Sequence, residues 1–271
     1  MNRRIFLKNI ITTTLISTAF PYHTLFAQEQ KPIEPVDYLY KMQNFDDSFP
    51  DDYILSPSLQ PTLLSLTKRL TRLESIVGHA NFMIVNYDTA LTTARRYPFI
   101  GAFTPEEIAL IEQLFSDNPA QYGFMGEQTV HSLTNTIAEK DVIKIPYSGN
   151  YLFRELALLK WREIKKILNN QVILTSGVRN VMKQLHLFCK KAVLHEYNLS
   201  IASRSIAPPA YSFHSVGDFD VGKPGFGLRN FTIDFTHTKT YAKLVEAGIL
   251  ELRYYDKNSL GVRFEPWHVK V

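Results

Sequence analysis

Two short segments far apart in this chain have to meet, and that requirement limits its fold more than any other feature. One is Ser212-Phe213-His214-Ser215-Val216-Gly217-Asp218-Phe219-Asp220, and the other is Glu265-Pro266-Trp267-His268. Together they offer two imidazoles and a carboxylate to a metal, plus a further carboxylate beside the last imidazole. Three protein ligands with an open fourth position form the arrangement of a catalytic zinc site. A glutamate that is near such a site without being a ligand is suited to general-base work. Glu265 and His268 are separated by Pro266 and Trp267, so a bend or strand end is needed to aim both at one ion.

At 271 residues the chain suffices for one large domain or two small ones. Its hydrophobic share of 45% and charged share of 21% are those of a globular protein. The net charge of +4 comes largely from Arg3, Arg4 and Lys8, in a 27-residue opening without a single acid; the remainder carries 27 basic and 26 acidic residues. That balance argues against a nucleic-acid surface. Asn2-Arg3-Arg4-Ile5-Phe6-Leu7-Lys8 resembles a twin-arginine export signal, followed by an apolar stretch from Ile10 to Phe20 and a cleavage point near Leu25-Phe26-Ala27. Thr12, Thr13, Thr14, Ser17 and Thr18 interrupt that stretch, which is too short to span a bilayer. The expectation is a periplasmic or cell-envelope protein with no stable membrane span after signal removal. Cys189 is the only cysteine, so an intramolecular disulfide is excluded; its apolar neighbours Leu185, Leu187 and Phe188 mark it as core.

After the signal at 1–27, residues 28–57 are rich in Pro, Asp and Gln and read as a linker. A helical N-terminal region is expected over 58–140. Leu63, Leu66, Leu70, Leu73 and Val77 recur at helical spacing, Thr104-Pro105-Glu106-Glu107 is a capped helix start, and a further helix is expected over 127–137. From 141 to 271 the pattern changes to strands mixed with helices. Strands are expected over 142–145 and 172–175, and helices over 151–168, 179–197 and 238–247. A Ser/Pro loop is expected over 200–211, and a strand pair at 250–254 and 262–264. This is an α+β domain, an antiparallel sheet with helices.

Three motifs in this second part carry a resemblance. Ser176-Gly177-Val178-Arg179 with Gln184, Ser212-x-His214-x-x-Gly217…Asp220, and Glu265-x-Trp267-His268 resemble, in order, the motifs of zinc D,D-carboxypeptidases of the vancomycin-resistance (VanY-like) type. The resemblance covers about 141–271 and implies a Hedgehog/D,D-peptidase fold, one zinc ion per chain and peptidoglycan stem peptides as substrates. Carried over by position, the zinc ligands fall on His214, Asp220 and His268, and the base on Glu265. Arg179 would bind or polarise the substrate carbonyl or carboxylate, and Ser212, Gln184 and Trp267 would hold the peptide. Two departures stand out. The loop from His214 to Asp220 is one residue short, which makes Asp218 a rival ligand, and Val178 replaces an aromatic.

The same metal site serves D-alanyl-D-alanine carboxypeptidases, L,D-carboxypeptidases and D,D-endopeptidases, and a spoiled aspartate would leave a non-catalytic wall-binding module. Ser65-Leu66-Thr67-Lys68 and Ser116-Asp117-Asn118 imitate serine D,D-peptidase motifs, but the third motif is lacking, since Lys239-Thr240 is followed by Tyr241 rather than glycine. His79, His131, His186, His195 and His237 read as ordinary surface or core residues, and Arg204 and Arg229 as solvated loop charges.

Overall fold

The leucine spacing over residues 63–77 builds the helix it predicts. The computed structural model describes residues 35–271, and in it α2 (Gln60–Val77) buries Leu63, Leu66, Leu70 and Leu73. The export signal expected over 1–27 and the first part of the linker lie outside the described residues. The rest of that linker is ordered: α1 (Pro35–Gln43) precedes α2, and Leu55 is buried. Then come α3 (His79–Phe82), α4 (Tyr87–Arg96) and α5 (Pro105–Ser116). Helix α5 opens on the expected capping box, with the Glu107 N–H donating to Thr104 Oγ1 at 3.2 Å and the Thr104 N–H donating to Glu107 Oε2 at 3.1 Å. Glu107 is buried and accepts from Arg69 Nε and Ser65 Oγ, both at 2.6 Å. The serine-enzyme imitation ends there, because Ser65 serves Glu107 while Ser116 donates to the Glu112 carbonyl.

The second region contributes the hairpin β1 (Val142–Ile145) and β2 (Asn150–Phe153), then α6 (Leu156–Leu168), β3 (Ile173–Ser176), α7 (Val181–Leu194) and α8 (Leu199–Ser205). It closes with β4 (Phe219–Gly222), α9 (Lys239–Glu246) and β5 (His268–Val269). Strands β3, β4 and β5 form an antiparallel sheet in that order, with Asp220 opposite both Ser176 and His268. Side chains alternate across a strand. Phe219 and Val221 accordingly enter a core shared with α6 and α9, while Asp220 takes the other face. Helix α7 instead packs Met182, Leu185, Phe188 and Cys189 against the leucines of α2 and the apolar face of α5. Burial pushes the Cys189 thiol far above its ordinary range, as a core cysteine requires. The fold is α+β, as expected. Among the described residues no helix is long and apolar enough to cross a membrane.

Five local expectations fail for identifiable reasons. Residues 127–137 are not helical, because the Thr129 and Val130 N–H groups both donate to the Ala210 carbonyl (2.9 and 3.0 Å). The helix expected from 151 starts at Leu156, since Tyr151–Phe153 pair with β1. Half of the expected 200–211 loop is α8, capped by Asn198, whose side chain accepts from the Ile201 N–H at 2.9 Å. The strand pair at 250–254 and 262–264 does not form. Gly261 packs so closely on Gly123 that a Cβ would sit 2.0 Å from its carbonyl oxygen, and the Leu260 carbonyl accepts from the Met125 N–H. Arg204 is not a solvated charge but is buried and paired with Asp52.

Candidate metal centre

The sheet register gathers the centre. Asp220 on β4 lies across from His268 on β5, and a 3₁₀ turn over Phe213–Ser215 brings His214 alongside; all three are buried. Gly217, at φ 143°, takes a backbone conformation open to glycine, and the Phe213 carbonyl accepts from the N–H groups of Val216, Gly217 and Asp218. That tight turn absorbs the missing residue, so the shortened loop still delivers Asp220.

One ligand atom each from His214, Asp220 and His268 lies within 4.8 Å of the others. His214 Nδ1 donates to the Gly177 carbonyl at 2.8 Å, which fixes the tautomer and leaves Nε2 as the acceptor, 3.4 Å from Asp220 Oδ1. Burial, reinforced by the Arg179 guanidinium, pushes its pKa down to about 4, so the ring is neutral as a metal ligand must be. Gly177 admits no other residue: a Cβ there would meet the Tyr151 carbonyl oxygen at 2.0 Å. Asp220 Oδ2 accepts from Arg179 at 2.7 Å, whereas Oδ1 is buried, has no hydrogen bond, and lies 3.1 Å from His268 Nδ1. Buried acceptors in native proteins are almost always satisfied. An acceptor left open between two imidazole nitrogens fits a cation, and two nitrogens with one oxygen is a donor set zinc takes.

Asp218, the rival, points elsewhere. It accepts from Arg253 Nε at 2.8 Å and Nη2 at 3.1 Å, from the Val271 N–H at 3.0 Å, and from His268 Nε2 at 3.0 Å. It therefore reaches the opposite nitrogen of the His268 ring from Asp220, the position of a carboxylate that orients a metal-binding imidazole. Burial opposes a charge on His268, but the hydrogen bond to Asp218 and the nearby Asp220 carboxylate prevail and raise its pKa to about 9.

Glu265 reaches the same pocket because the His268 N–H donates back to its carbonyl at 3.1 Å, closing the turn that the spacing demanded. Its Oε2 is 3.7 Å from His268 Nδ1 and its Oε1 is 3.9 Å from Arg263 Nε. Burial raises its pKa to about 7, partly offset by Arg263. Arg179 extends from the loop after β3, donating to Ser176 Oγ at 2.9 Å and to Gln184 Oε1 at 3.4 Å besides Asp220. Gln184 is buried and also donates to the Ala207 carbonyl at 2.7 Å. Ser212, Trp267, Gln184 and Arg179 all line a cavity of about 300 Å³ together with the three ligand candidates and Glu265. The sequence reading missed Tyr254, which sets its ring edge-on to His268 at 4.8 Å, and Arg253 and Arg263. Arg263 stands two residues before Glu265, and that proximity was the signal available.

Residues 156–271 match the family model of VanY, D-alanyl-D-alanine carboxypeptidase. The matched stretch lies within the region 141–271 whose motifs carry the resemblance, and it contains the three buried ligand candidates. Two solved structures are similar to part of the chain. A vancomycin-resistance D,D-pentapeptidase VanY mutant from a VanB-type resistance cassette, in complex with Zn(II), is 22% identical, with a TM-score of 0.38 over 51% of this chain and 83% of that one. VanYB in complex with D-alanine-D-alanine is 21% identical, with a TM-score of 0.40 over 54% and 82%. A comparison with curated proteins gives no match.

Proposed function

From the VanY-type domain at residues 156–271, we propose that this protein is an exported zinc metallopeptidase that removes the terminal D-alanine from peptidoglycan stem peptides. The observation that carries the reading is the open Asp220 Oδ1 between two buried imidazoles, with the raised Glu265 carboxyl beside them. His214, Asp220 and His268 would hold one zinc per chain, with Asp218 orienting the His268 ring rather than binding the ion. Zinc held there lowers the pKa of water towards neutrality and polarises a carbonyl.

The chain's own groups move the protons. As the new C–O bond forms, Glu265 accepts a proton from the attacking water. As the C–N bond breaks, it returns that proton to the leaving amine nitrogen. A carboxyl brought near neutrality by burial suits both transfers. Arg179 turns the remaining donors of its planar guanidinium to the substrate's carbonyl oxygen or terminal carboxylate. Gln184 holds Arg179 in that position, and Ser212 and Trp267 offer a hydroxyl and an indole face to the peptide. The twin-arginine segment directs the chain to the cell envelope, where such peptides lie.

The test is to incubate purified protein with defined pentapeptide, tetrapeptide and cross-linked muropeptides and follow the products by mass spectrometry. Loss of one D-alanine from the pentapeptide, abolished by a chelator and restored by zinc, is the expected result. Cleavage of the tetrapeptide or the cross-link instead would reassign the bond to L,D-carboxypeptidase or endopeptidase chemistry. No cleavage of any of them would overturn the enzyme reading.

A further inference from the structure

We infer that Arg263 is a positioning residue for the Glu265 carboxylate, held in place by Phe45 from the segment ahead of α2. The inference rests on the reading of Glu265 as the base. A carboxylate that works as a base must keep one oxygen towards the reacting water, so the other needs a partner that stops the group from rotating. The two oxygens of Glu265 stand in different surroundings: Oε2 is on the His268 side at 3.7 Å, and Oε1 faces Arg263 Nε at 3.9 Å. That Nε is buried and has no hydrogen bond. Glu265 is the carboxylate it faces, and a small approach closes the contact without disturbing Oε2.

The rest of Arg263 is fixed by other groups. Its Nη2 donates to the Phe231 carbonyl at 3.2 Å, and its backbone N–H donates to the Arg204 carbonyl at 2.9 Å. The guanidinium lies over the Phe45 ring at 4.3 Å and the Trp267 ring at 4.9 Å. A planar, delocalised cation can stack on rings while its edge donates, which the compact ammonium of lysine cannot reproduce. Phe45 is in turn held by its neighbours in the chain. The Gly261 N–H donates to Tyr38 Oη at 2.6 Å, Tyr38 Oη donates to the Asn258 carbonyl at 2.9 Å, and Arg204 Nη1 donates to the Asp47 carbonyl at 2.9 Å. The stretch read as a linker is thereby fastened to the loop that carries Arg263 and Glu265.

The test uses the full exported chain with Arg263→Met, Arg263→Lys, Phe45→Ala, Glu265→Gln and the double variant Arg263→Met/Glu265→Gln. Zinc content, KM and kcat for D-alanine release are measured on each. Arg263→Met should keep zinc and hold KM within about twofold while kcat falls about 10- to 100-fold, the loss expected of a misaimed catalytic group. Arg263→Lys should recover part of kcat. Phe45→Ala, which leaves the guanidinium in place but unclamped, should lower kcat by about 3- to 10-fold at unchanged KM. In the Glu265→Gln background Arg263→Met should cost nothing further, because the residue acts through that carboxylate. A rise in KM alone, unchanged kcat in Arg263→Met or in Phe45→Ala, or a loss that multiplies in the double variant would overturn the inference. Should Arg263→Met fail to fold, Phe45→Ala and Arg263→Lys decide it on the same kcat criterion. If Glu265→Gln itself turns over normally, the base assignment falls and this inference falls with it. If Glu265→Gln is inactive while Arg263→Met is fully active, only the inference falls.

Discussion

Two glutamates, half-buried Glu74 on α2 and buried Glu265 before β5, are driven in opposite directions by their surroundings. Burial penalises the charge on both. Glu74 answers it with two donors, Lys183 Nζ at 2.8 Å and His79 Nδ1 at 3.0 Å, and with His186 Nδ1 lying 3.1 Å away. Those contacts outweigh burial and hold its carboxyl far below the ordinary range. Glu265 has no comparable donor set, so burial raises it to about 7. The saturated carboxylate is a structural joint between α2 and α7. The unsaturated one stands next to a triad with an open acceptor, and on the proposed reading it is the group that exchanges protons.

The hardest test of this contrast is removal of a ligand. His268→Ala should lose zinc and turnover together, whereas Asp218→Ala should keep the ligand set and weaken zinc by about 10- to 100-fold. Metal analysis after dialysis against graded chelator separates the two, and full zinc in His268→Ala would sink the ligand assignment. Next, Glu265→Gln should keep zinc and melting temperature but lose about 10²- to 10⁴-fold in turnover. Wild-type turnover there would break the comparison outright.

Smaller effects are expected in the framework. Gly177→Ala should destabilise the fold by about 1–3 kcal/mol or more, because its Cβ collides with a backbone oxygen that cannot give way. Urea unfolding monitored alongside zinc content checks this, and a variant as stable as wild type would show that the hairpin yields. Glu74→Gln should cost about 1–3 kcal/mol at neutral pH. Since the Glu74 pKa is lowered on folding, its contribution is present above the ordinary glutamate range and is lost as pH falls towards the depressed value. The gap between wild type and Glu74→Gln should therefore narrow in acid, and a gap that widened in acid would reverse the sign. Smallest of all, Ser65→Ala should leave turnover unchanged and cost about 1–2 kcal/mol for the bond to buried Glu107. Loss of activity would revive the serine motif.

How far the sequence could be read depended on how local each signal was. That His214, Asp220, Glu265 and His268 would lie together was legible because the motifs announce them, and the leucines of α2 because burial follows the helical period. The Asp218–Asp220 rivalry was legible, but the distinct place of each carboxylate was not. The two side chains reach opposite nitrogens of one ring, a relation that exists only once β4 and β5 are paired. Arg263 escaped notice because its partners are an aromatic ring from residue 45 and a carbonyl from residue 231, distant in sequence. Helix α8 was masked by serines that normally favour loops, and the false helix over 127–137 by ignorance that Ala210 would claim its N–H groups.

The contact between Gly177 and the hairpin has a consequence for how this protein can vary. The Tyr151 carbonyl accepts from the Val178 N–H at 2.8 Å, and the Gly177 carbonyl accepts from His214, so the link from hairpin to imidazole runs through main-chain atoms alone. Side chains of the hairpin that lie outside the core are thus free to drift over generations without altering the aim of His214, while buried Val142, Ile145 and Leu152 keep the hairpin on its course. Where the link itself passes, its intolerance falls on a position that has no side chain to lose.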